Sequence, residues 1–312
     1  MTVSVLATSP HPALRRLLRG FLFAALLAGA PSALAQTLLY ATAIRMHYED
    51  GAARIECNLY RVDPATGASI LMAPVRIAGR EPIAVVSLAI HPTTGVVYGV
   101  TAGLSSTIPR SLVSIDPATG DVTLIGALGE VASDLAFSRD GTLYAWLPTR
   151  NRLARVDLAS GHAAPREDSG IAGLMGGGMA IDDHDVAYVA ATGATGTLDT
   201  VDIHTGRGTP GPMLEGAPYL SAITNLTFSP DGKLYAVNSN MGAPASTALV
   251  EIDVHNGKVT EIGHLPNDAH ALIFGPGSAT RAFPTALVAG VAALLLVPAA
   301  TAWYLWRRRR RR

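Results

Sequence analysis

The chain has 312 residues, with 24 Lys plus Arg against 24 Asp plus Glu and a mean hydropathy of +0.29. Its single cysteine, Cys57, excludes an internal disulfide framework, so a packed core has to stabilise the fold. The formal neutrality conceals a division: three basic residues lie in the first 35 positions and six form the C-terminal run. That leaves 15 Lys and Arg against all 24 acids, a body near −9 (15 minus 24) that repels nucleic acid and anionic lipid at low salt.

Residues 1–35 read as a secretory signal. A basic stretch with Arg15, Arg16 and Arg19 precedes the apolar run "FLFAALLAGA" and the small-residue site Ala33-Leu34-Ala35, which predicts cleavage before Gln36. No cysteine stands at the cleavage site, which argues against a lipoprotein.

Two families of segments then alternate. One comprises "LYRVDPATGASILMAPV", "LVSIDPATGDVTLIGAL", "LARVDLASGHAAPREDS", "LDTVDIHTGRGTPGPML" and "LVEIDVHNGKVTEIGHL". The other comprises "SLAIHPTTGVVYGV", "DLAFSRDGTLYAWL", "GMAIDDHDVAYVAA" and "NLTFSPDGKLYAVN". Tyr98, Tyr144, Tyr188 and Tyr235 mark intervals of 46, 44 and 47 residues, a period that identifies a repeat architecture. Each segment is a hairpin: apolar residues alternate on both sides of a turn built from Asp, Pro and Gly. Four short strands with two tight turns make one propeller blade.

Before the first complete repeat, "TLLYATA" from Thr37 is a second strand without its inner neighbour, and "ALIF", Ala271 to Phe274, is an inner strand with nothing after it. Pairing the two would complete a first blade and leave no free edge. The expected fold is therefore an all-β, five-bladed β-propeller over residues 36–280, closed by its N- and C-terminal strands. Fragments such as "LYAVNSN" and "AYVAATG", with the Asp-x-x-Thr-Gly turns, resemble the NHL and YVTN families of exported bacterial propellers. That resemblance implies fold and carries no catalytic residues.

In such a blade the first-to-second and third-to-fourth turns share one face, where the repeated Asp63, Asp116, Asp157, Asp202 and Asp253 are expected to accept backbone N–H bonds. His204 and His255 in those turns read as exposed, and the marker tyrosines as packing between blades. The other face carries irregular connections, among them "IRMHYEDGAARIECN", "TAGLSSTIPRS" and "NSNMGAPAST", and is the expected binding face. Residues entering the inner strands beside the channel are Ser87, Asp134, Gly178, Asn225 and Ala271, with His270 just before the last. Ser87, Asp134, Asn225 and His270 are the candidate ligand residues. Asp134, Asn225 and His270 form a mixed N/O set that would suit a divalent cation such as calcium; the other reading is that these side chains bond backbone groups at the strand starts or hold channel water. "GLMGGGMA", residues 173–180, precedes a strand and reads as close packing between blades. Cys57 reads as a small core residue.

Beyond the repeats, Phe283 to Trp306 is a 24-residue uncharged stretch, long enough for a transmembrane helix, with Arg307 to Arg312 placing its far end in the cytoplasm. "FPTAL" followed by this span and an arginine run resembles the C-terminal sorting signals of Gram-negative surface proteins, the IPTL-CTERM and PEP-CTERM types. The resemblance implies a C-terminal sorting protease as a partner. The chain as a whole reads as an exported, membrane-anchored propeller, periplasmic or at the cell surface. It binds an unknown protein or small molecule, and not nucleic acid, through its loop face without catalysis. The alternative reading is a metal-dependent hydrolase or lactonase with a cation at the channel mouth. No His-Glu-x-x-His, Gly-x-Ser-x-Gly or phosphate-loop motif is present to support an enzyme of another kind.

Overall fold

Five Asp-x-x-x-Gly segments close five hairpins in the same way. The carboxylates of Asp63, Asp116, Asp157, Asp202 and Asp253 accept the N–H of the residue two positions on, at 2.8–3.0 Å. In each turn the glycine N–H bonds back to the aspartate carbonyl at 2.7–2.8 Å. Gly67, Gly120, Gly161, Gly206 and Gly257 all have φ between +74° and +82°, the left-handed region that a side chain resists.

These turns join the third and outer strands of five four-stranded antiparallel blades in a computed structural model, which describes residues 38–275 apart from 51, 106, 172–176, 191–195 and 220–221. Blade 1 runs, from inner to outer strand, Ala269–Gly275, Leu38–Glu49, Ala52–Val62 and Ser69–Pro74. Blade 2 is Val85–Ile90, Val97–Thr101, Ser111–Ile115 and Asp121–Ala127; blade 3 is Asp134–Phe137, Leu143–Leu147, Arg152–Val156 and Ala163–Pro165. Blade 4 is Met179–Ile181, Val186–Ala190, Leu198–Asp202 and Gly208–Thr209; blade 5 is Ala222–Phe228, Leu234–Ser239, Thr247–Ile252 and Val259–His264. The fold is an all-β, five-bladed propeller. In blade 1, Leu38 to Thr42 pairs antiparallel with Gly275 to Ala271.

The signal segment 1–35, the span 283–306, the arginine tail 307–312 and residues 173–176 of the glycine run 173–180 lie outside the described residues. Among the described residues no helix is long and apolar enough to cross a membrane.

Blades are joined by repeated contacts. Tyr98 of blade 2 meets Phe137 of blade 3 edge-on at 5.5 Å, Tyr188 meets Phe228 at 5.4 Å, and Tyr235 meets Phe274 at 5.1 Å. Each of the five Asp-x-x-x-Gly turns also seats against the outer strand of the preceding blade or the residues just after it. A Cβ on Gly120 would lie 2.3 Å from the Pro74 carbonyl oxygen, and one on Gly126 would lie 1.9 Å from that of Ser160, so only glycine permits the approach.

One segment departs from the sequence reading. "IRMHYEDGAARIECN", expected as an irregular loop, continues the two middle strands of blade 1 as a ribbon whose register runs unbroken from Leu39↔Val62 to Glu49↔Ala52. Its Asp50-Gly51 pair is a hairpin turn signal, and Asp50 adopts φ +51°. The crossing "VRIAGREPIAVV" forms two short strands; Arg76–Ile77 lies parallel to Asp121–Val122 and extends blade 2.

Candidate functional site

The inner strands enter the centre of the ring through the five positions anticipated from sequence, and three of the side chains there meet. Ser87, Asp134 and Asn225 are each 0% exposed. Asp134 Oδ1 accepts the Ser87 hydroxyl at 2.6 Å, the Asn225 side-chain amide at 2.6 Å and its neighbour Leu135 N–H at 2.9 Å. Oδ2 accepts Met179 N–H from blade 4 at 2.8 Å and Leu226 N–H from blade 5 at 3.2 Å. The Asn225 Oδ1 in turn accepts Leu272 N–H from blade 1 at 2.8 Å. Thr42 of blade 1 donates to the Val85 carbonyl of blade 2 at 2.9 Å. One carboxylate and one amide thus tie all five inner strands together.

Small residues make this possible. A Cβ on Gly178 would fall 2.5–2.7 Å from the backbone of Asn225 and Leu226, so blade 4 supplies an N–H where blades 2, 3 and 5 supply side chains. Blade 1 does the same through Ala271, which offers the following Leu272 N–H. His270 is not among the partners of this cluster. The register slips between Thr42 and Ala43, so that His270 is the extra residue of a β-bulge, a feature that re-aims a side chain. Burial holds the His270 imidazole below its usual pKa, partly offset by Asp268.

Burial pushes the Asp134 carboxyl up to about 7, against the downward pull of the Ser87 hydroxyl and the N–H groups of Met179, Leu226 and Leu135. A carboxylate offers about four lone-pair sites, and five donors already converge on them. Calcium takes six to eight oxygens. The side-chain oxygens here are the two of Asp134 and one each from Ser87 and Asn225, all engaged in hydrogen bonds. The residues present therefore do not fit a cation.

A cavity of about 340 Å³ is walled by the last residues of the inner strands, including Leu135, Phe137, Ile181, Leu226, Phe228 and Ile273, with Arg139, Asp182 and Asp183 at its rim. It opens among the first-to-second turns, not among the irregular loops. Among the described residues, Asp182, Asp183 and His184 are the His, Cys, Asp and Glu side chains grouped closely enough to share an ion. There Asp182 Oδ1 caps the N–H groups of His184 and Val186 at 2.9 Å, and His184 Nδ1 lies 2.6 Å from Asp183.

The loop face presents the ribbon. Among the described residues, backbone hydrogen bonds from the inner and outer neighbours reach it as far as Ile44, whose N–H bonds the Asp268 carbonyl at 2.9 Å, and Cys57, whose carbonyl accepts Val75 N–H at 2.7 Å. The five pairs from Arg45↔Glu56 to Glu49↔Ala52 extend farther, roughly 17 Å at about 3.4 Å per residue. Arg45, Arg54 and Glu56 are exposed, and Met46 is 52% exposed. Cys57 at the base is 2% exposed, and burial pushes its thiol up to about 12. It is a core residue.

No protein-family description and no curated protein matches this sequence. Solved structures do. A chain of the nidogen/laminin complex aligns at 12% identity over 78% of this chain and 100% of that one, with a TM-score of 0.50. A protein of unknown function from Bacteroides thetaiotaomicron aligns at 12% identity over 76% of this chain and 61% of that one, with a TM-score of 0.47. TolB from Acinetobacter baumannii aligns at 11% identity over 86% and 74%, with a TM-score of 0.42. The likeness is one of fold.

Proposed function

We propose that this protein is an exported, membrane-anchored propeller that binds a protein or small-molecule ligand through its loop face and catalyses no reaction. The ribbon is the observation that carries this reading. A two-stranded ribbon is marginally stable by itself in water, and an exposed Met46 beside the exposed Arg45 and Glu56 is the mixture of apolar and charged contact that a partner surface covers. The nidogen/laminin structure is of a protein complex, which is in keeping with a propeller used as a binding module.

Export and anchoring rest on the sequence of the two ends: the signal-like residues 1–35, the span 283–306 and the arginine tail 307–312, which together put the propeller in the periplasm or at the cell surface. A C-terminal sorting protease would act near "FPTAL". The hydrolase reading requires a cation on Asp134, where donors already occupy both oxygens.

A photo-crosslinking residue at Met46, compared with one at Thr94 on the turn face, tests the assignment in the host that makes the protein. A discrete adduct from position 46 and none from position 94 is expected. Adducts from position 94 alone would move the binding surface to the other face.

A further inference from the structure

The body carries more acids than bases, yet four of its arginines gather in one place. A groove of about 980 Å³ on the outer rim, between the outer strands of blade 3 and the third-to-outer turn of blade 4, is lined by Arg152, Arg155, Arg166 and Arg207. Glu167 and Asp168 are the acids in it, and Asp168 already caps the Gly170 N–H at 2.9 Å. Among the described residues none of the four arginines is within ion-pairing distance of an acid, whereas Arg150, two residues away, pairs with Glu130 at 3.1 Å. Arg155 feels Asp140 and Asp157 only at longer range, and both acids are engaged in their own turns.

The groove is built, not merely populated. Arg166 Nη1 donates to the His204 carbonyl of blade 4 at 2.6 Å, and its guanidinium lies over the Tyr144 ring at 5.9 Å. The Nε of Arg166 is buried and has no hydrogen-bond partner. Gly206, at φ +82°, lets the turn sit against Arg166, where a Cβ would come within 3.0 Å of the arginine Cβ. The same turn carries Arg207 to the opposite wall. Four like charges lining one groove repel one another, a cost that an anion between them would offset, and arginine forks match oxyanions by geometry as well as charge.

We propose that this groove binds a compact multivalent oxyanion, an oligophosphate or a polycarboxylate. A long polyanion is disfavoured by the negative body around the groove and by Glu167 and Asp168 inside it. The inference stands apart from the loop-face reading and survives if that reading fails.

Calorimetric titration of the full-length protein with tripolyphosphate and with citrate, at 50 mM and 200 mM NaCl, tests it. Saturable binding of either probe that weakens with salt is expected, and the stronger probe tells whether the ligand carries phosphate or carboxylate groups. Arg155→Ala/Arg207→Ala, at two exposed positions, should weaken binding about tenfold, as expected for two surface charge contacts, with unfolding temperature unchanged. Arg76→Ala/Arg80→Ala on blade 2 should leave binding as it was. Absence of saturable binding at low salt, or equal weakening by both double variants, would overturn the proposal.

Discussion

Replacing Asp134 by alanine removes the one acceptor group that five donors share. Two of those donors have a second choice: Leu135 N–H is 2.9 Å from the Ser87 hydroxyl oxygen, and the hydroxyl itself can turn. The Asn225 side-chain N–H and the backbone N–H groups of Met179 and Leu226 have none in the cluster, and they are buried. A buried donor left unsatisfied costs about 1–3 kcal/mol, so three cost about 3–9 kcal/mol. Folded domains have only about 5–15 kcal/mol of stability. In urea unfolding followed by circular dichroism, with a slope of about 3 kcal/mol/M, a loss of about 6 kcal/mol lowers the midpoint by about 2 M. Ser87→Ala, which removes one donor and leaves the carboxylate in place, should shift it far less. A midpoint within about 0.5 M of the parent for Asp134→Ala would refute the idea that this carboxylate joins the blades.

Further outcomes follow from other parts of the molecule. Because burial raises the Asp134 pKa above its unfolded value, the folded state holds a proton that the unfolded state has released, so its contribution to stability falls as pH rises from about 4 to about 7. The depressed pKa values of Asp140, Asp157 and Asp202 act below pH 4 with the opposite sign, and His270, held neutral, costs stability as pH falls below about 6.5. Asp134→Asn should remove the falling limb between pH 4 and 7 and keep the His270 limb, read from unfolding midpoints across that range. Phe274→Ala opens the seam between blades 5 and 1 at the Tyr235 contact and should cost about 3–5 kcal/mol in the same assay. Gly126→Ala places a methyl group 1.9 Å from the Ser160 carbonyl oxygen and should destabilise more than Gly232→Ala, where nothing lies within 4 Å and only the φ of +81° opposes the methyl group. Cys57 should resist an aromatic disulfide reagent in the native protein and react with one equivalent once unfolded.

Much of the fold was legible because the turn chemistry is written in the sequence. An aspartate two residues before the N–H it accepts, and a glycine at positive φ, recur five times with the same geometry, and the tyrosine markers do pack across blade seams. The sequence reading places the ribbon among the irregular connections although Asp50-Gly51 is a hairpin signal, and the structure pairs it as two strands. At the centre, the entry positions were visible in the alternation, and Ser87, Asp134 and Asn225 do meet. That they bond backbone groups is one of the two readings their strand-start positions allow, but which groups is not legible. The decisive partners are backbone N–H groups of Leu135, Met179, Leu226 and Leu272, which leave no mark on residue identity. His270 was grouped with them by adjacency, and a one-residue bulge took it out of the set. The turn-face cavity and the arginine groove arise from residues far apart in the chain, whose convergence only the stacking of the blades determines.

A crystal structure at a resolution that separates water from calcium, with anomalous data and metal analysis of the same protein, bears most directly on the role of Asp134. The account predicts N–H and O–H groups alone around both carboxylate oxygens, with Ser87 and Asn225 at the distances given above. A stoichiometric cation coordinated by Asp134, and lost in Asp134→Asn, would contradict it.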